Sequence, residues 1–259
     1  MVALVGRLIE TGPSDRPPRI AVVGAQGSGK TTLARAAAAE YGAVPVSIDD
    51  VYLTRAEREA MARDVHPLFV TRGPPGTHDL GMLQALMDRL SEAGPTDATP
   101  LPDFDKRGDD RVPADRWRAF TGRPRAILID AWCLGALPEG DAALETPINA
   151  LERDRDPDGV WRRSVDGFVG GAYAGFAAGL DAILFLRAPG FEVVLDWRSQ
   201  QEADLLGVPP EDLPLDERAR LADFIQYFER VTRRMLAGGV RADVIVPLDR
   251  NRVPGSFSA

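Results

Sequence analysis

Cysteine is nearly absent: Cys133 is the single one in 259 residues. An internal disulfide is therefore excluded, and with only His66 and His78 as histidines, neither a Cys cluster nor a His pair offers a zinc site. Ser-His-Asp chemistry would have to be built on one of those two imidazoles. No apolar run approaches the roughly 20 residues that cross a bilayer; the longest, such as 182–186, are the length of a strand. Arg7 and Glu10 interrupt the short apolar stretch at the N-terminus and leave no signal-peptide core, so the sequence predicts a soluble, cytoplasmic chain. Positive charge is in deficit, since 31 Lys and Arg against 39 Asp and Glu give a net charge of −8. Bulk electrostatics then disfavours nucleic acid and anionic membranes as partners, while a local basic pocket for a small anion stays compatible with it. Internal repeats, low-complexity tracts and convincing linkers are also missing. A hydrophobic share of 44% suffices for one packed core, and one domain over 1–259, with 1–18 as an N-terminal extension, is the simplest organisation.

What is present is a rhythm of short apolar runs alternating with helical patterns. The run 19–23 reads as a buried parallel strand, followed by a glycine-rich loop and an alanine-rich helix to Tyr41, which Gly42 can stop. A second strand, 44–48, runs into Asp49 and Asp50; Thr54 and Glu57 then read as a capping box. Helical spacing of Leu80, Leu83, Leu86, Met87 and Leu90 predicts a helix over 79–90. Residues 91–115 are polar and proline-bearing and read as a long loop, the kind that is usually functional or disordered. Further strands are expected at 126–130, 182–186 and 244–248. Helices are expected around Val165 to Phe176, where glycines weaken continuity, and around Leu221 to Phe228. This alternation predicts an α/β fold with a mostly parallel central sheet and helices on both faces, whose ligands bind at the carboxyl ends of the strands.

The chemistry gathers at those ends. Gly24, Ala25, Gln26, Gly27, Ser28, Gly29, Lys30, Thr31 and Thr32 match G-x-x-x-x-G-K-[ST] with a strand before and a helix after. Backbone N–H groups of such a loop cradle phosphates, Lys30 neutralises their charge and the Thr31 hydroxyl reaches Mg²⁺, which predicts a P-loop that binds a nucleoside triphosphate. Asp49 can orient a substrate hydroxyl and take its proton, with Asp50 beside it; alternatively, the two are solvated turn acids. Asp130 stands where a Walker B acid holds Mg²⁺, or else caps the next turn. Arg72, His78 and Asp79 in one loop, and Asp105, Lys106 and Arg111 in another, mix cations with carboxylates as a pocket for a small hydroxy acid requires; solvated surface loops would look alike. Arg198, in a helical stretch after the fourth strand, could close over phosphates as a lid or sit on a charged face. His66 and Cys133 read as structural.

The order of these motifs resembles the P-loop D-glycerate 3-kinase family, which sits with phosphoribulokinase, uridine kinase and pantothenate kinase. The resemblance rests on Ser47-Ile-Asp-Asp-Val-Tyr-Leu-Thr54, Arg72-Gly-Pro-Pro-Gly-Thr-His-Asp-Leu80, Pro102-Asp-Phe-Asp-Lys106 with Gly108-Asp-Asp-Arg111, Trp197-Arg-Ser-Gln-Gln-Glu202 and Asp249-Arg-Asn-Arg252. It spans about Arg19 to Pro254. It implies a P-loop NTPase three-layer sandwich, with ATP and Mg²⁺ as cofactors and Asp49 as catalytic base. Lys30 and Arg198 would act on the phosphates, Thr31 and Asp130 on the metal. Asp50, Tyr52, Arg72, His78, Asp79, Asp105, Lys106 and Arg111 would line the acceptor site, with 91–115 as acceptor loop and 187–206 as lid. The implied reaction is phosphorylation of a small acid, D-glycerate to 3-phosphoglycerate.

Three departures stand out. Val51 replaces the usual Phe, Asp130-Ala131-Trp132 replaces Glu-Gly-Trp, and the Asp-Lys loop is short before Gly108. Asp for Glu shortens the reach to Mg²⁺ by one methylene, which a bridging water could restore. The shorter loop bears on acceptor identity more than on phosphoryl transfer. Competing readings are a kinase of the same fold acting on a nucleoside or other metabolite, and a non-catalytic ATP-binding switch. A nucleoside site would call for stacking aromatics near Asp49, where only Tyr52 and Phe104 are offered.

Overall fold

The computed structural model describes residues 1–256. In chain order the strands are β1 (Arg19–Gly24), β2 (Val44–Ser47), the short β3 (Ala98–Pro100), β4 (Phe104–Asp105), β5 (Asp110–Arg111) and β6 (Ala119–Thr121), then β7 (Ile127–Ala131), β8 (Ala182–Arg187) and β9 (Val244–Pro247). The helices are α1 (Val2–Glu10), α2 (Lys30–Tyr41), α3 (Arg55–Asp64), α4 (Leu80–Glu92), α5 (Asp141–Leu144), α6 (Ala150–Arg155), α7 (Val160–Phe168), α8 (Ala174–Ala178), α9 (Val194–Leu206) and α10 (Leu215–Leu236). Strands β2, β7, β1, β8 and β9, in that spatial order, form a wholly parallel sheet.

Alternation along each strand divides the core. Ile20, Val22, Leu128, Leu184 and Leu186 pack on one face with Leu4 and Val5 of α1, Leu33 and Ala37 of α2, and Val194 and Trp197 of α9. Ala21, Val23, Ile129, Ile183 and Phe185 pack on the other with Leu83 and Leu86 of α4, Val165 of α7, Phe176 of α8 and Phe228 of α10. Two faces sealed by helices explain why the strands are apolar on both sides, and the result is the three-layer α/β sandwich that the sequence predicts. The first residues belong to this packing: α1 buries Leu4, Val5 and Ile9 rather than trailing off the domain. No helix among the described residues is long and apolar enough to cross a membrane.

Local signals set the boundaries of the site-bearing elements. Gly42 caps α2 in the left-handed region, Thr54 and Glu57 form a complete capping box on α3, and the Asp79 side chain caps α4 through the Met82 N–H at 2.8 Å. Two segments differ from the sequence reading. Residues 91–115 are not one long loop: α4 runs to Glu92, and two antiparallel ribbons follow, β3 with β6 and β4 with β5. Pairings of two or three residues are too short to show a period in the sequence. The helical pattern of 165–176 is also broken, because a π turn over Val169–Tyr173 separates α7 from α8. Gly170 and Gly171 lie in that turn, where low helix propensity permits the wider winding.

Arg58 of α3 ties the turn of the β4–β5 ribbon to the segments on either side of α3. Its side chain is fully buried; it donates to the carbonyls of Leu53 at 3.2 Å, Val70 at 2.5 Å and Asp109 at 2.7 Å, and pairs with the Asp109 carboxylate at 3.1 Å. Removing one partner strands the other polar groups, so Arg58→Met is expected to lower unfolding free energy by about 2–4 kcal/mol. Urea unfolding of the two proteins measures this, and an unchanged midpoint would show that the ribbon is held by other contacts.

Candidate active site

Parallel register assembles the site. Val22 pairs with Asp130 and Ser47 pairs with Asp130 from the other side, so the ends of β1, β7 and β2 lie level at one edge of the sheet. The loop 24–29 leaves β1 there and turns into α2. Gly27 has a positive φ of 75°, and a Cβ on it would stand 2.6 Å from Trp197 Cβ, so only glycine lets α9 press against the loop. Gly29 has φ 90° as N-cap of α2, and no side chain caps that end. The first amides of α2 are thus left to an outside acceptor, which is the geometry of an anion site.

The side chains agree with a triphosphate and a hard cation. Ser28 Oγ and Gln26 Oε1 are buried with no hydrogen-bond partner among the described residues, which marks a loop shaped for a polar ligand. Lys30 is buried and donates to the Ala25 carbonyl at 2.9 Å. Burial lowers its pKa against the opposing charges of Asp130 and Asp49. Thr31 donates its hydroxyl to Asp130, and burial raises the Asp130 pKa although Lys30 and Thr31 counter it. No cluster of three or more His, Cys, Asp or Glu able to hold a metal exists among the described residues. A hydroxyl plus one carboxylate is instead the sparse oxygen set that suits Mg²⁺ sharing its shell with phosphates and water. Thr32 lies one position further along α2, with its side chain at the exposed surface.

Asp49 and Asp50 occupy a short 3₁₀ turn, 48–50, at the end of β2, with the Ser47 hydroxyl accepting the Asp49 N–H. Tyr52 donates to Asp49 Oδ1 at 2.6 Å and Lys106 to Oδ2 at 3.2 Å. Burial alone would raise the Asp49 pKa; Lys106 and the Tyr52 hydroxyl outweigh it, and the carboxyl stays below the ordinary value. Asp50 takes the opposite course. Burial, with the charges of Asp49, Asp103 and Asp130, outweighs Lys106 and lifts its pKa from 3.8 to about 6. His78 reaches this corner because Tyr52 and His78 pair in an antiparallel bridge, their rings 4.7 Å apart. Burial drops the His78 pKa to about 4, so the ring is neutral at physiological pH.

Other residues expected at the site take different places. Asp79 caps α4 and accepts Arg111 at 3.5 Å. Asp105 is exposed and builds the turn of the β4–β5 ribbon by accepting the Arg107 N–H at 2.9 Å, so the structure does not bring it to Asp49. Arg72 pairs with Asp109 and lies over the Phe104 ring at 5.8 Å; Arg111 donates to the Tyr52 carbonyl at 2.8 Å. Arg198 lies along α9 against Gln201 and Glu202, close enough for its charge to act on Lys30. Arg252 was not expected as a site residue. At φ 64° it donates to the Gly27 carbonyl at 2.7 Å and lies over the Trp197 ring at 5.2 Å, so the segment after β9 clasps the phosphate loop. Its motif was visible at 249–252, but nothing in the sequence gave the loop's direction.

No family model matches the chain. A curated relative, an uncharacterized kinase of Schizosaccharomyces pombe named mug58, is 26% identical over 263 residues, covering 93% of this chain and 91% of its own. Among solved structures, D-glycerate 3-kinase from Cryptococcus neoformans var. grubii superposes with a TM-score of 0.76 at 21% identity, covering 100% of this chain and 99% of that one. A putative fructose transport system kinase from a Silicibacter species gives 0.61 at 20% identity, covering 94% and 97%. The chain has the fold of these two solved structures.

Asp50 gives the site a pH signature. Its folded pKa of about 6 exceeds the ordinary 3.8, so its charged form is disfavoured in the folded state. The cost is absent below pH 3.8, grows between 3.8 and 6, and is complete above 6. Asp50→Asn is therefore expected to stabilise the protein at pH 7.5 by up to about 3 kcal/mol and to lose that advantage near pH 4. Denaturant titrations at both pH values decide it; equal effects at the two would contradict the assigned environment.

Proposed function

We propose that the chain is an ATP-dependent small-molecule kinase that transfers the γ-phosphoryl group to a hydroxyl of a small acid, D-glycerate giving 3-phosphoglycerate being the favoured reaction. The observation that carries this is Asp49. An ionised carboxylate at the end of β2, held by Tyr52 and Lys106, shares one sheet edge with the Lys30 loop and the Thr31–Asp130 pair. Phosphoryl transfer needs little covalent chemistry from a protein and much positioning, which such an edge supplies.

In this reading the loop amides and Lys30 bind the triphosphate, and Thr31 and Asp130 hold Mg²⁺. When bound, the ion would neutralise charge on the phosphates. Asp49 orients the acceptor hydroxyl and accepts its proton; its low pKa makes it a weak base, suited to a loose transition state in which the proton leaves late. Lys106, half exposed beside Asp49, offers a partner for the acceptor's carboxylate. Arg198 carries positive charge to the transferring group from the 187–206 lid, and 91–115 walls the acceptor side. The whole of 1–259 serves as one kinase domain that needs neither nucleic acid nor membrane.

An acid is favoured over a nucleoside as acceptor because the local aromatics are already engaged. Tyr52 packs edge-on to Phe104 at 5.1 Å and against His78, and Phe104 lies under Arg58 and Arg72. The D-glycerate 3-kinase of Cryptococcus, with nearly full mutual coverage, supports the same choice. One observation favours a second reading of the base: the Asp50 pKa of about 6 lies closer to the operating pH.

ADP release coupled to a reporter, with MgATP and a panel of D-glycerate, L-glycerate, uridine, pantothenate, ribulose 5-phosphate or no acceptor, tests the proposal. Turnover is expected with D-glycerate and not with Lys30→Ala. Background rates with every acceptor, despite ATP binding, would favour a switch instead. Asp49→Asn is expected to cost about 100- to 10,000-fold in turnover with ATP affinity nearly intact. If Asn at 49 is tolerated and Asn at 50 is not, the base is Asp50.

A further inference from the structure

Behind His78 stands Tyr173, a residue whose periodic spacing marks it only as core. The π turn over Val169–Tyr173 delivers this residue, 2% exposed, to the His78 ring at 5.8 Å in an edge contact. Its hydroxyl oxygen accepts the Gly76 N–H at 3.1 Å. The same oxygen lies 2.5 Å from His78 Nδ1. An oxygen that accepts a backbone N–H still has its own proton to give, and Nδ1 is the acceptor beside it. With that proton given to Nδ1, the single ring proton of neutral His78 sits on Nε2. Nε2 is buried and has no hydrogen-bond partner among the described residues.

The backbone holds this ring beside the reacting groups. Leu53 N–H donates to Thr77 O at 2.9 Å and Asp79 N–H to Val51 O at 2.7 Å, on either side of the Tyr52–His78 bridge. Tyr52 in turn donates to Asp49. An imidazolium here would add a positive charge that acts on Asp49, whereas a neutral ring adds a donor and no charge.

We propose that Tyr173 is a positioning residue that locks His78 as the Nε2–H tautomer, so that His78 offers an uncharged hydrogen bond to a lone-pair oxygen of the acceptor next to Asp49. This deepens the kinase reading and rests on it. It makes His78 and Tyr173 a specificity device: an acceptor must bring an oxygen that can receive a proton at that place, and a carboxylate oxygen, all lone pair, does so best.

The tautomer is readable without any substrate. With only two histidines in the chain, long-range proton–nitrogen NMR of the free protein resolves both rings, and His66→Gln assigns them. The expected spectrum of His78 shows a protonated Nε2 and a bare Nδ1, giving way to mixed tautomers in Tyr173→Phe. A protonated Nδ1 in the unaltered protein overturns the proposal. Kinetics tests the other half. Tyr173→Phe is expected to raise the acceptor KM on the order of tenfold while the ATP KM moves less than about twofold. His78→Gln keeps an amide donor near the Nε2 position that needs no tautomer, so adding Tyr173→Phe to it should change the acceptor KM less than about twofold. An equal loss in both backgrounds would reduce Tyr173 to a structural role and overturn the proposal. Absence of turnover with any acceptor would sink the kinase reading and the acceptor half of this one, while the spectrum decides the tautomer separately.

Discussion

Everything at this site depends on the register of three parallel strands. Val22 opposite Asp130 and Ser47 opposite Asp130 set β1, β7 and β2 level, so the glycine loop, the metal-type carboxylate and the Asp49–Asp50 pair emerge side by side. A one-residue slip would turn every apolar side chain to the other face, and the two helix layers forbid it. The apolar alternation that splits Ile20 and Val22 from Ala21 and Val23 is thus also what positions the polar chemistry. Fold stability and site geometry are one constraint here.

Within that frame, charge is sorted by environment. Asp49, Asp50 and Asp130 crowd one edge, yet they do not share a protonation behaviour. Asp49 is held low by Lys106 and Tyr52, Asp50 is pushed up by burial and its acidic neighbours, and Asp130 is raised by burial while it accepts Thr31 and feels the charge of Lys30. The cations are divided likewise: Lys30 is buried on the loop, Lys106 reaches across from the ribbon, and Arg198 stands on α9. An acidic protein can therefore gather positive charge where anionic ligands meet although its net charge is −8.

Much of this was legible in the sequence. The five sheet strands, the phosphate loop, the acids that end β2 and β7, and the caps at Gly42 and Thr54 all follow from patterns of two to eight residues. What stayed hidden depends on distant partners. Arg58 looks like an ordinary surface arginine on α3 until Asp109, 51 residues on, receives it. Tyr173 follows a helical period that the π turn breaks, and Asp105 carries the same carboxylate as Asp49 but spends it on its own turn. Side-chain direction in short ribbons and the reach of a loop such as 249–252 are set by tertiary contacts, which spacing does not encode.

The central claim is that one sheet edge holds the donor phosphate and the acceptor base together. A crystal structure with magnesium and a non-hydrolysable ATP analogue tests it most directly. The account predicts the triphosphate in the 24–32 loop, the metal against Thr31 and Asp130, and the terminal phosphate directed toward the Asp49 carboxylate. A nucleotide seated elsewhere, or a terminal phosphate directed away from Asp49, would contradict it.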